Sequence, residues 1–171
     1  MYGIYQKLIY TSFFTRCILA TIVGFFSKII TIPVFFVHYF FIRESLNNTR
    51  PINDAVALSA SNISHGKDAF DQAVSILILA PTIENLVIPF VFWALSKFKN
   101  GILFSIILIT FISYHYHAQG SQQITGAVFF FCYAVFYARI IKVCGKLESY
   151  ILTVIAHFVT NLIAFSFMLQ H

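Results

Sequence analysis

The sequence predicts an all-α protein, a polytopic membrane helical bundle of about five transmembrane helices. Three observations carry this prediction: 59% of the 171 residues are hydrophobic, only 10% are charged, and the apolar residues gather into long runs separated by short polar connections. A soluble domain of this size carries about a quarter of its residues charged, and the mean hydropathy of +0.83 agrees with a lipid-facing chain. No composition shift, repeat or low-complexity tail marks a second domain. Residues 1–171 are therefore expected to form a single membrane domain, with the polar stretch 43–71 outside the membrane.

The first element, Tyr2 to Phe14, mixes Tyr, Phe and Leu with Gln6 and Lys7 and reads as an interfacial helix. Cys17 to Ile42 follows as the first span, longer than the roughly 20 residues a bilayer requires and so able to tilt. Lys28 within it must snorkel or face protein, and Pro33 can kink it. Lys7 and Arg16 ahead of an apolar run imitate a secretory signal. The bulky residues Ile29 to Phe36 and the lack of a small-x-small cleavage site predict a retained anchor instead. Arg43 to Asp71 is rich in Asn, Asp, Ser, Pro and Gly, which is loop chemistry, and only this segment is large enough for a lid or a partner-binding loop.

The second span, Gln72 to Leu95, contains Pro81, Glu84, Asn85 and Pro89. Each proline removes a backbone donor, so the helix is expected to bend beside Glu84 and to line a cavity there. The third span, Gly101 to His117, closes on Ser113, Tyr114, His115, Tyr116 and His117. A fourth runs from Ile124 to Ile141 and a fifth from Tyr150 to Leu169, joined by the basic connection Lys142 to Glu148. Placing Lys7, Arg16, Lys97, Lys99, Arg139, Lys142 and Lys146 inside leaves only Arg43, Arg50 and Lys67 outside, an N-in, C-out orientation.

The net charge of +5 does not indicate a nucleic-acid partner, because the basic residues are scattered among short connections without aromatic interleaving. Cys17, Cys132 and Cys144 lack a CxxC spacing and lie in or beside apolar runs, so neither a disulfide framework nor a thiolate metal site is expected.

Function is carried by the polar residues inside the apolar runs. Glu84 is the only acidic one, and an ionisable group at membrane depth costs roughly 2.5 to 3.5 kcal/mol on insertion scales. His157 and Asn161, four apart, share a helical face that lipid forces toward the bundle interior, as a site or as helix-to-helix glue. Phe111 and His115 likewise share a face, with His117 about 160° away from it, read as a water-facing interface group. Asn85, about 100° around from Glu84, is a supporting donor or helix glue. His38, His65 and His171 have no polar neighbour at helical spacing or lie in a loop or at the terminus.

The order Ala80-Pro81-Thr82-Ile83-Glu84-Asn85, then Phe111-x-x-x-His115, then His157-x-x-x-Asn161, each in its own hydrophobic helix, resembles the CPBP family of intramembrane glutamic proteases. That family includes the CAAX prenyl endopeptidase and bacterial bacteriocin-processing and immunity proteins. The resemblance covers Ser75 to Phe165. In the family's first motif, EExxxR after a proline, Glu84 matches the first glutamate, while Asn85 stands for the second and Pro89 for the arginine.

The resemblance implies an endopeptidase acting on a membrane-associated peptide or protein, in a multi-pass protein of a bacterial inner (plasma) membrane. It implies that Glu84 with His115 activates water and that His157 and Asn161 hold the oxyanion, with no cofactor. Zinc is the alternative, since Glu84, His115 and His157 would make a two-histidine, one-carboxylate set. Such a set would consume the nearby carboxylate and leave Asn161, a poor ligand, unused. Membrane lipid and the substrate are the expected partners. Two other readings use the same residues: a non-catalytic binding or immunity protein, and a small proton-coupled transporter with Glu84 as its relay, although the repeats common in transporters are absent. One geometric tension accompanies the shared site. With the third and fifth spans parallel, His115 lies about 14 residues in and His157 about 7, an offset on the order of 10 Å.

Overall fold

A chain in lipid must satisfy its backbone polar groups within each segment, and a helix is the local solution. The computed structural model describes residues 12–46, 70–71, 73–117 and 121–168, all of their regular structure being helical. The expected interfacial helix before Ser12, residues 47–69 of the polar loop, the His38 side chain, His65 and His171 lie outside the described residues. Helix α1 is Phe13–Leu46, so it runs four residues beyond the expected end of the first span. A π-helical turn, Ser75–Leu79, leads into α2, Ala80–Glu84, and then come α3, Val87–Leu95, α4, Gly101–Tyr116, and α5, Ser121–Met168. The result is an all-α bundle in which three helical stretches, Phe13–Val34, Ser75–Leu95 and Gln123–Ser166, are long and apolar enough to cross a membrane. α4 is apolar but only 16 residues long.

α5 is not a continuous rod. Gly145 has φ 77° and ψ 176°, a positive φ that glycine adopts without a Cβ penalty, and it divides α5 into an N-limb, 121–144, and a C-limb, 146–168. The break falls inside the basic connection that the sequence marks. Ser149 donates to the Gly145 carbonyl at 2.6 Å, taking up an acceptor at the break.

Packing follows the rule that lipid rewards close backbone approach rather than burial of large apolar groups. On α1, Ala20, Gly24, Ser27 and Thr31 are buried, whereas Ile22, Phe25, Phe26, Ile29 and Ile30 face outward. The small-residue stripe lies against the C-limb so closely that a Cβ on Gly24 would stand 2.3 Å from the Ala156 carbonyl oxygen. Polar bonds cross the same seam: Thr160 donates to the Gly24 carbonyl at 3.0 Å and accepts from the Tyr133 hydroxyl at 2.7 Å. At one end of the seam Arg16 Nε pairs with Glu148 Oε1 at 2.6 Å. The pairs Arg16–Glu148 and Ser27–Thr160 are separated by 132 and 133 residues, so α1 and the C-limb run parallel and in step. Lys28 faces protein, its Nζ 5.2 Å from the centre of the Phe129 ring on the N-limb.

Candidate functional site

The site is shaped by two prolines. Ahead of Pro81 the ladder loosens, and the Ala80 N–H reaches back five residues to the Ser75 carbonyl. In that register the residue that would serve the Ile76 carbonyl is Pro81, which has no N–H. The missing donor comes from the C-limb: Asn161 Nδ2 lies 2.9 Å from the Ile76 oxygen. Pro89 acts four residues past Asn85, where its ring opposes a continued helix. α2 therefore ends at Glu84, Asn85 takes ψ −11°, and the Asn85 carbonyl accepts from Ile88 at 3.1 Å instead. The interruption places Glu84 and Asn85 at a helix break that opens toward the C-limb.

Asn85 is fully buried. Its Nδ2 donates to the Pro81 carbonyl at 2.7 Å and lies 3.0 Å from His157 Nδ1. The His157 ring packs against the Phe130 and Tyr133 rings, with centroid distances of 5.6 and 5.2 Å. Its other nitrogen, Nε2, lies 3.8 Å from Glu84 Oε2. Glu84 reaches a cavity of about 250 Å³ whose other polar lining is Ser113, His117 and the Tyr116 side chain, amid Ile83, Val87, Ile112 and Phe130.

His117, not His115, enters this cavity from α4. Its Nδ1 lies 2.8 Å from the Ser113 carbonyl oxygen, an acceptor, so Nδ1 carries the proton and Nε2 of the neutral ring is left with a lone pair. Gly126 makes room for the ring, since a Cβ there would stand 2.6 Å from His117 Cγ. His115 is exposed, in edge contact with Phe111 at 4.4 Å and Tyr114 at 5.2 Å, and does not line the cavity. The buried face of α4 is the row Gly101, Ser105, Ile109 and Ser113, each four apart and three of the four small, and His117 is the next step on that row. Phe104, Leu108 and Phe111 face outward.

Of the four residues singled out by sequence, the structure brings Glu84 and His157 together, turns His115 to the outer face, and engages Asn161 with the π-helical turn. The set Glu84, His115 and His157 does not converge, and among the described residues no three His, Cys, Asp or Glu side chains are disposed to hold a metal ion. Asn85, read from the sequence as a supporting donor or helix glue, and His117, read as a water-facing interface group, are the further members. The signal for His117 was present as the Gly-x-x-x-Ser pattern of α4 continuing through Ser113. Cys17, Cys132 and Cys144 are free thiols. No family model, curated protein or solved structure matches the chain.

Proposed function

We propose that this protein is an intramembrane endopeptidase, a divergent member of the CPBP family in a bacterial inner membrane, that hydrolyses a peptide bond of a membrane-associated substrate. The observation that supports it is a carboxylate flanked by two imidazoles at a largely apolar cavity: Glu84 and His117 line the cavity, and His157 stands behind Glu84 with Nε2 3.8 Å from its carboxylate. The Glu84–His157 separation exceeds hydrogen-bond length, so the His157 N–H is left to an incoming oxygen. In the reaction Glu84 takes a proton from water as the water oxygen attacks the scissile carbonyl carbon. The oxyanion so formed accepts from His157 Nε2, and Glu84 returns the proton to the amine as the C–N bond breaks. Asn161 supports the site by holding the Ile76 carbonyl of the turn that precedes Glu84.

The proposal includes five membrane passes. Because α1 and the C-limb are parallel, an odd number of crossings must lie between them, and Ser75–Leu95, α4 and the N-limb supply three. α4 spans roughly 24 Å, so the bilayer thins at the His117 end. A second reading, a non-catalytic binding or immunity protein, is favoured by one observation: the Asn161 amide nitrogen is engaged by backbone rather than presented to the cavity.

The two α4 histidines test the proposal. With purified protein in lipid nanodiscs and a library of membrane peptides, His117→Phe is expected to lower cleavage by about 10²-fold, because an apolar ring replaces the polar lining that positions water beside Glu84. His115→Phe is expected to leave cleavage unchanged, as is strong chelation. Equal loss in both variants, or loss in His115→Phe alone, would rule out a site at this cavity.

A further inference from the structure

We propose that Asn85 is a positioning residue that holds the proton of neutral His157 on Nε2, aimed at Glu84. Its catalytic consequence rests on the proteolytic reading, whereas the tautomer itself does not. The amide orientation follows from the Pro81 carbonyl, which can only accept. The side-chain atom 2.7 Å from it is therefore the nitrogen, Nδ2, and not Oδ1. The same nitrogen lies 3.0 Å from His157 Nδ1 and has a second N–H but no lone pair to offer. Nδ1 must then accept, and a neutral imidazole that accepts at Nδ1 carries its proton at Nε2. Asn85 Oδ1 has no hydrogen-bond partner among the described residues, so the amide is oriented by its nitrogen alone.

Among the described residues no other hydrogen-bonding side chain competes for Nδ1. His157 is 5% exposed, it packs against Phe130 and Tyr133, and the Tyr133 hydroxyl donates to Thr160. His117 has the opposite tautomer, since its Nδ1–H goes to the Ser113 carbonyl. Around Glu84 one imidazole thus presents a donor and the other an acceptor. Asn85 makes the first of these a donor, which is the form an oxyanion requires.

Asn85→Asp reverses the assignment at nearly constant shape: in this fully buried place the side chain is held as the acid, whose O–H donates to the Pro81 carbonyl while the same oxygen accepts from Nδ1–H, leaving the Nε2 lone pair facing Glu84. The experiment is a long-range ¹H–¹⁵N correlation spectrum of histidine-labelled full-length protein in nanodiscs at alkaline pH, with His157 assigned by difference against His157→Gln. The wild type is expected to show His157 as the Nε2–H tautomer and Asn85→Asp as the Nδ1–H tautomer, with the His117 signals unmoved as a control for folding. Cleavage by Asn85→Asp is expected to fall roughly 10- to 100-fold, as for other residues that orient a functional histidine. A wild-type His157 protonated at Nδ1 would overturn the proposal even if the variant does not fold. So would an Asn85→Asp variant that keeps the Nε2–H tautomer or full cleavage. A wild type that cleaves no peptide yet shows the Nε2–H tautomer would remove the proteolytic reading and leave the tautomer assignment standing.

Discussion

Glu84→Gln is expected to lower peptide cleavage by about 10²- to 10⁴-fold, the range a positioned general base contributes. Glutamine preserves the shape of the side chain at the helix break and its exposure to the cavity, but its amide cannot take a proton from water. The surroundings do not offer a replacement base of the same kind, because the His157 nitrogen that faces the position is the donor Nε2. The fold should be untouched, since the structural bonds of this segment are made by Asn85, Asn161 and Tyr150 rather than by the carboxylate. Circular dichroism and elution volume should match the wild type. Undiminished cleavage by the variant would show that Glu84 is not the base, and abolished proton flux through liposomes in the same variant would favour the transporter reading.

Gly24→Leu is expected to produce the largest loss of stability. The first atom added at Gly24 would meet the Ala156 carbonyl oxygen at 2.3 Å and Val159 Cβ at 3.1 Å. The nearer obstacle is backbone, so it cannot rotate aside, and the parallel α1 and C-limb must separate. Overpacking of this kind costs about 1 to 3 kcal/mol in a well-packed interior. The hydrogen bond from Thr160 to the Gly24 carbonyl would be lost in addition. Thermal unfolding in micelles should show a clear drop for Gly24→Leu and a smaller one for Gly24→Ala. Ile22→Leu on the outward face should leave the midpoint unchanged. A Gly24→Leu protein as stable as the wild type would mean that this seam does not hold the bundle. Since the C-limb carries His157, the same variant should also lose cleavage through displacement of that ring from Glu84.

The elements themselves were largely legible. Apolar runs of membrane length announce helices because no other open structure satisfies its backbone in lipid, and the helix breaks lie where Pro81, Pro89 and the 142–148 connection put them. Glu84 and His157 were legible as inward-facing groups because lipid excludes both. The orientation of α4 was not. Almost every residue around that helix is apolar, so hydrophobic periodicity has no direction to report, and the Phe111–His115 pair looked as good a face as any. Only the row Gly101, Ser105, Ile109 and Ser113, three of its four residues small, carried the answer, through the close approach it permits. Asn161 shows the same limit, since its partner is a carbonyl 85 residues away, left without a backbone donor by Pro81.

By itself the sequence determined the helical class, the presence of helices long and apolar enough to cross a membrane, the places where helices break, and the two ionisable side chains, Glu84 and His157, that stand out inside apolar runs. Those follow from composition and from chemistry that acts within a few residues. The tertiary structure decided which neighbours those side chains have: that His117 shares the Glu84 cavity while His115 does not, and that Asn85 donates to His157. In a membrane bundle apolar faces gain little by choosing one another, so contacts are selected by fit and by hydrogen bonds between distant residues. That selection exists only once the helices are assembled.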